Sequence, residues 1–205
     1  STLSQLIQWN SQQYVISCAP ISIHDTPSHT WRGLMVDTSR HFIPLEDLRR
    51  PVDGMENLKP NVFHWHIVDA QSFPYESNVK PLLSQLGAYH ETAIYTQTDI
   101  RAFVEYAFQR GVRVVPEFDI AAHTASWGKG YPELTIPCPR LVNADRLGGI
   151  HMVEHGIDLV GMHPLKESTY TFLEEFLPEV FELFPDTYIH FGGDEVHKEC
   201  WSKDP

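Results

Sequence analysis

Near the C-terminal end of the sequence two carboxylates, Asp194 and Glu195, stand side by side behind two glycines, Gly192 and Gly193. The run before them, Tyr188-Ile189-His190-Phe191, is apolar enough to read as a buried strand. Glycines at a strand end let the backbone turn tightly and approach a ligand closely. Carboxylates at the C-terminal end of a parallel strand stand where α/β enzymes gather their chemistry. The alternative is a glycine turn opening a helix, whose N-terminus also favours Asp and Glu. Those eight residues do not choose between the two.

Three earlier segments carry comparable groups. Asp37-Thr38-Ser39-Arg40-His41, His64-Trp65-His66-Ile67-Val68-Asp69 and Glu117-Phe118-Asp119, the last soon followed by His123, each close an apolar run with polar or charged residues. A rival chemistry sits at His151-Met152-Val153-Glu154-His155, which fits the H-x-x-E-H pattern of a zinc metallopeptidase. That pattern needs a sustained helix to bring both imidazoles to one metal, and Gly148-Gly149 and Gly156 bracket it.

The elements that must position these groups alternate along the chain. Leu34 to Val36, Asn61 to Val68, Val112 to Phe118 and Tyr188 to Phe191 are expected strands. Leu45 to Leu58, a segment carrying Phe103, Val104, Ala107 and Phe108 and ending at Gly111, and Thr169 to Phe184 show helical spacing. A section rich in Gly and Pro, from Ala121 to about Leu165, reads as irregular. Strands of nearly continuous apolar character alternating with helices predict an α/β fold, a parallel sheet covered by helices. Four strands delivering polar groups at the same end is the pattern of the (β/α)8 barrel. The doubly wound alternative also binds at strand ends, but no strand here leads into Gly-x-Gly-x-x-Gly or a phosphate loop. Before the first of these strands, Thr2 to Trp9 reads as a short amphipathic helix, and Gln13 to Ile16 and Ile21 to His24 alternate like strands. The polar, Pro-containing segment Asp25 to His29 marks a boundary, with residues 1–27 as the tail of a preceding domain and 28–205 as the main unit.

Composition narrows the function. The 205 residues carry a formal net charge of −12, which disfavours a nucleic-acid partner. No apolar run reaches the roughly eighteen residues of a membrane span. The cysteines, Cys18, Cys138 and Cys200, show no metal-ligand spacing, which leaves three thiols or one disulfide with one free thiol.

Taken in order, Arg32-Gly-Leu-Met-Val-Asp-Thr-Ser-Arg40-His-Phe, Asn61-Val-Phe-His-Trp-His-Ile-Val-Asp69, Arg113-Val-Val-Pro-Glu-Phe-Asp119 and His190-Phe-Gly-Gly-Asp-Glu195 resemble the family 20 glycoside hydrolases. These are β-N-acetylhexosaminidases, and the likeness is to the eukaryotic lysosomal type. The resemblance implies a (β/α)8 barrel of which the first four βα units are present, preceded by the end of a small α/β accessory domain. It implies retention by substrate assistance, in which the sugar's own 2-acetamido oxygen attacks the anomeric carbon and forms an oxazolinium ion. Glu195 is then the general acid and later base, and Asp194 orients the acetamido group. Arg40 grips sugar hydroxyls at the nonreducing end, and Asp69 and His123 hydrogen-bond around the acid. His64, His66 and His190 are expected to be mainly buried, supporting groups. The resemblance pairs Cys138 with Cys200 in a disulfide, leaves Cys18 free, and implies a lysosomal or secreted protein, with no cofactor or metal. Its partners are glycans ending in N-acetylglucosamine or N-acetylgalactosamine, and it allows a dimeric parent.

Three places depart from the family pattern, one of them Pro60 ahead of the second strand. Ala70 replaces a second Asp after Asp69, and Ala121-Ala122 replaces the Pro-Gly that leads to the loop histidine. A drifted, non-catalytic sugar-binding module is the reading these favour. Half a barrel also lacks the far wall of the sugar pocket, so the 205 residues alone are expected not to hydrolyse a 4-nitrophenyl N-acetylglucosaminide.

Overall fold

The structure is a computed structural model, and residues 2–136, 160–196 and 198–202 are described, with only the backbone of 199 and 200. In chain order the strands are β1 (Gln8–Trp9), β2 (Tyr14–Val15), β3 (Gly33–Asp37), β4 (Val62–Val68), β5 (Arg113–Phe118), β6 (Thr135–Ile136) and β7 (Gly161–Met162). The helices are α1 (Leu45–Leu58), α2 (Leu82–Gly87), α3 (Gln97–Phe108), α4 (Ala125–Gly130), α5 (Glu167–Leu183) and α6 (Lys198–Trp201).

The centre is a parallel sheet in the order β3-β4-β5. Crossover helices force parallel pairing, and α1 and α3 supply it here. In α1, Leu48, Val52 and Met55 are buried at helical spacing, with Glu46 and Asp47 offsetting the dipole in its first turn. It stops at Lys59, whose backbone is left-handed and whose N–H returns to the Met55 carbonyl; Pro60 follows. α3 begins in a capping box between Thr96 and Asp99 and buries Ile100, Phe103 and Ala107. α5 buries Phe172, Phe176, Val180 and Leu183 on one face.

These faces meet one side of the sheet. Phe63, Trp65 and Ile67 of β4 are fully buried there, and Trp65 lies edge-on to Tyr95 and Phe103 at centroid distances of 5.0 Å each. Phe118 packs in the same manner on Tyr75 and Phe176. Aromatic edge-to-face packing of this kind adds to simple area burial.

The opposite side is polar. The register pairs Asp37 with His66 and His66 with Glu117, and residues in one row of a sheet point to the same face. β4 is therefore not uniformly apolar as its composition suggests; it is two-sided, with His64 and His66 alternating against Phe63, Trp65 and Ile67.

The expected fourth strand is reduced to a single parallel bridge, His190 with Glu117. His190 N–H donates to the Pro116 carbonyl at 2.9 Å, and Phe118 and Ile120 N–H donate to the carbonyls of His190 and Phe191 at 3.1 and 3.0 Å. Residues 188–191 thus lie along β5 but are not buried: Tyr188 is 58% exposed and the His190 side chain 51%. Among the described residues this segment has a sheet neighbour on one side only, which leaves its outer edge in solvent.

Two further expectations fail near the N-terminus. The helix over Thr2 to Trp9 is a 3-10 turn at Ser4–Leu6 with no buried residue, followed by β1. Ile21 to His24 forms no strand and is exposed. Apolar spacing holds a helix or strand only where another surface covers it, and none of the described residues does so here. Conversely, the Gly-rich section holds α4, stabilised by the buried Trp127 rather than by propensity. A Cβ on Gly130 would stand 2.6 Å from the Leu82 carbonyl oxygen, so α4 can pack this closely on α2 only with glycine there.

Candidate active site

The polar ends of β3, β4 and β5 converge with residues 190–195. Asp37 closes β3 and caps its own turn, its Oδ1 accepting from Ser39 N–H at 2.9 Å and Arg40 N–H at 3.0 Å. That turn aims Arg40 across the end of β4. Its guanidinium meets Asp37 at 2.7 Å and Asp69 at 2.8 Å, and donates to Gln71 Oε1 at 3.0 Å.

Asp69 is the hub at this level, with no solvent exposure. Besides Arg40 it takes His66 Nε2 at 2.8 Å, its neighbour's Ala70 N–H, and His123 Nδ1 at 3.3 Å. Burial alone would raise its proton affinity, but the bonds from His123 and His66 and the Arg40 charge outweigh it and hold the carboxyl well below the usual range. His123 responds oppositely. Its bond to Asp69 outweighs desolvation and lifts it to about 9. Its other ring nitrogen, Nε2, lies 3.2 Å from Glu195 Oε2. Asp69, His123 and Glu195 therefore form a carboxylate–imidazole–carboxylate chain.

The backbone is held in an uncommon conformation at both ends of that last contact. His123 and Glu195 have φ of 57° and 51°, the left-handed region that costs a non-glycine residue about 1 kcal/mol or more. Such conformations persist where surrounding structure over-determines them, commonly at functional sites. Gly192, at φ 63°, has no substitute: a Cβ there would fall 1.9 Å from Asp119 Oδ1. Gly193 N–H then donates to the same oxygen at 3.4 Å. The glycine pair thus lets the chain pass over Asp119 and delivers Asp194 and Glu195, both exposed, to the mouth of the site.

Beneath this level, a second carboxylate gathers three imidazoles. Glu117 lies 2.6 Å from His64 Nε2, 2.9 Å from His66 Nδ1 and 2.9 Å from His190 Nδ1. Burial works against its ionisation, and the bonds from His64 and His66 overcome it, holding Glu117 well below the ordinary range. His66, bonded to both Asp69 and Glu117, rises to about 10 despite desolvation. Among the described residues Asp119 has no comparable partner; burial dominates and pushes it up to about 6.

Of the expected site residues, the fold brings Arg40, Asp69, His123 and Glu195 into one connected group, with Asp194 beside Asp119 and His123. Glu117, His66, Asp37 and Asp119, which the sequence marks only as strand-end groups with His66 as a supporting imidazole, join it. The alternation His64-x-His66 and the strand-end position of Glu117 were the signals available. His66 is buried as expected, whereas His190 is half-exposed. Cys138, the segment His151 to His155 and the side chain of Cys200 lie outside the described residues, so the disulfide and the zinc pattern are not placed; Cys18 is exposed.

Among the described residues three sets of donors are close enough to hold a metal, one of them His64, Glu117 and His190, whose ligand atoms lie within 4.8 Å of one another. In that set each imidazole already faces the carboxylate as an acid–base partner, the arrangement proton transfer requires.

A parallel sheet whose strands send carboxylates, imidazoles and an arginine to their C-terminal ends is the arrangement of an α/β enzyme with acid–base chemistry at that end. The sequence comparisons make this specific. Residues 29–205 match the catalytic domain of glycosyl hydrolase family 20, and the chain belongs to that family. It is 43% identical over 205 residues to human beta-hexosaminidase subunit beta, covering all of this chain and 34% of that protein. It is 42% identical to the rat alpha subunit, again over its full length and 37% of the relative. The chain thus spans about a third of the length of the curated relatives it matches. Among solved structures it superposes on Flavobacterium johnsoniae chitobiase with a TM-score of 0.78 at 36% identity, covering all of this chain and 29% of that one. The Vibrio harveyi exo beta-N-acetylglucosaminidase in complex with N-acetylglucosamine gives 0.76 at 28%, with 100% and 33% covered.

Proposed function

We propose that this chain carries the acid side of a β-N-acetylhexosaminidase that removes terminal nonreducing N-acetylglucosamine or N-acetylgalactosamine from glycoconjugates or oligosaccharides, with retention. The observation that carries the reading is the chain Asp69–His123–Glu195, with Arg40 held on the same Asp69. Adjacent Asp194 and Glu195 cannot straddle a sugar as a nucleophile–acid pair does, which suits substrate assistance. In that chemistry Asp194 orients the acetamido group and its oxygen attacks the anomeric carbon. Glu195 protonates the departing oxygen, the bond to the aglycone breaks, and an oxazolinium ion forms. Glu195 then takes a proton from the water that opens it. His123, cationic because Asp69 faces it, stabilises Glu195 as it gives up its proton. Arg40 offers a planar donor fork to sugar hydroxyls.

Residues 28–205 are the N-terminal half of a (β/α)8 barrel on this reading, and 1–27 the end of an accessory domain. Glu195, with 59% of its side chain exposed, awaits a far wall from the remainder of the enzyme. The 205 residues alone therefore give no measurable turnover; turnover in them that Glu195→Gln abolishes would overturn that part. A Cys138–Cys200 bridge and a lysosomal or secreted home complete the reading, and relatives named as subunits support a dimeric parent.

The test is the intact enzyme with a 4-nitrophenyl N-acetylglucosaminide. Glu195→Gln should reduce kcat by roughly 10²-fold or more, and the first-formed sugar should keep the β configuration. An inactive wild-type enzyme, or release of the α anomer first, would refute the assignment.

A further inference from the structure

The acid's network does not end at Asp69. It continues through His66 to Glu117, and Glu117 collects His64 and His190 as well. Carboxylate and imidazole alternate without a gap along Glu117, His66, Asp69, His123 and Glu195, with successive contacts of 2.9, 2.8, 3.3 and 3.2 Å. Glu117 sits in the same sheet row as His66 and two residues before Asp119, so β5 fixes it rigidly. Its carboxylate is only 7% exposed, too buried to be held by solvent.

We propose that Glu117 is a positioning residue for the catalytic acid, holding His66 against Asp69 and thereby setting the charge that His123 presents to Glu195. This rests on the hydrolase reading above. The groups facing each member are explicit. Glu117 faces His64 and His66 from β4 and His190 from the segment beside β5. His66 also faces Asp69, and has Arg40 Nη1 at 3.5 Å and the Asp37 charge nearby. His123 faces Asp69 and Glu195, with the charges of Asp119 and Asp194 nearby. An imidazolium between two carboxylates donates from both ring nitrogens and is held in one ring orientation, so Asp69 keeps its second oxygen for His123. Removing the Glu117 charge leaves an extra positive balance on the acid's side of the network. Removing the imidazole of His66 leaves an extra negative one.

Opposite charge changes at two linked positions give the test its sign. In the intact enzyme, Glu117→Gln should lower kcat about tenfold, part of the roughly 10²- to 10⁴-fold that acid–base catalysis supplies, with KM unchanged. The basic limb of its pH–kcat profile should move down by roughly half a unit to one unit. His66→Gln should move the same limb up. Glu117→Asp, which keeps the charge, should keep the wild-type limb. If Glu117→Gln does not accumulate folded, the His66→Gln and Glu117→Asp profiles decide alone. Glu117→Gln and His66→Gln limbs that coincide with wild type, or losses in these two variants that fall in KM or only in thermal stability, would overturn the inference. An inactive wild-type enzyme would instead remove the hydrolase reading beneath it.

Discussion

The two faces of strand β4 divide the labour of this molecule. Phe63, Trp65 and Ile67 point toward the helices and are fully buried among aromatic rings. His64 and His66, one residue out of phase, point the other way onto Glu117 and Asp69. The first face gains stability from burying area. The second spends part of it, since burying charges costs free energy that their mutual pairing only partly returns. The strand's period of two keeps these opposed environments less than a side chain apart, so the rigid face holds the reactive one in register.

The contrast is sharpest where each face is broken. Trp65→Ala empties the centre of the aromatic core and should cost about 3–5 kcal/mol in denaturant unfolding. A loss below about 1 kcal/mol would show that the helix-facing side does not carry the fold. On the polar face, Asp69→Asn leaves Arg40, His66 and His123 facing a neutral amide, and about 3 kcal/mol should be lost. It should also abolish turnover in the intact enzyme, which Trp65→Phe should not.

The polar face alone should make stability depend on pH above neutrality. His123 and His66, lifted to about 9 and about 10 from near 6.5, contribute stability that is complete below pH 6.5 and lost as pH rises through 9 to 10. Asp119, raised to about 6, adds a smaller decline between pH 4 and 6. Asp69 and Glu117, both depressed, contribute above pH 4 and lose that contribution in acid. Thermal denaturation should thus show a Tm that falls between pH 6.5 and 10. A flat profile there would mean the imidazoles are neutral in the fold.

Smaller still, Gly192→Ala forces a left-handed alanine onto Asp119 and should cost about 1–2 kcal/mol while displacing Glu195 enough to remove activity. His64→Phe should change stability by no more than about 1 kcal/mol, because His66 and His190 still bond Glu117 and an apolar ring replaces a pairing of small net worth.

Much of this was legible beforehand in specific places. The α1 helix ran from Leu45 to Leu58 as its spacing requires, because a buried stripe and a clear stop at Lys59-Pro60 coincide. β4 and β5 were visible as strands, since β-branched and aromatic runs with helices between them have few other solutions. The N-terminal helix and the strand at Ile21 were not there, because their apolar spacing had no surface to meet. α4 was unreadable in Ala-Ser-Trp-Gly-Lys-Gly, a poor helix former that only the pocket for Trp127 and the close approach of α2 make helical.

The same boundary runs through the site. By itself the sequence determined which residue types stand at the strand ends, because a motif such as Gly-Gly-Asp-Glu after a strand is local chemistry. It also determined the resemblance from which Arg40, Asp69, His123, Asp194 and Glu195 take their proposed roles. Only the tertiary structure decided that Glu117 and His66 join Asp69, His123 and Glu195 in one network, that His190 is half-exposed, and that Gly192 must clear Asp119. Those facts depend on register between β4, β5 and the segment beside it, and register is set by packing across some fifty to seventy residues of chain, where no local pattern reaches.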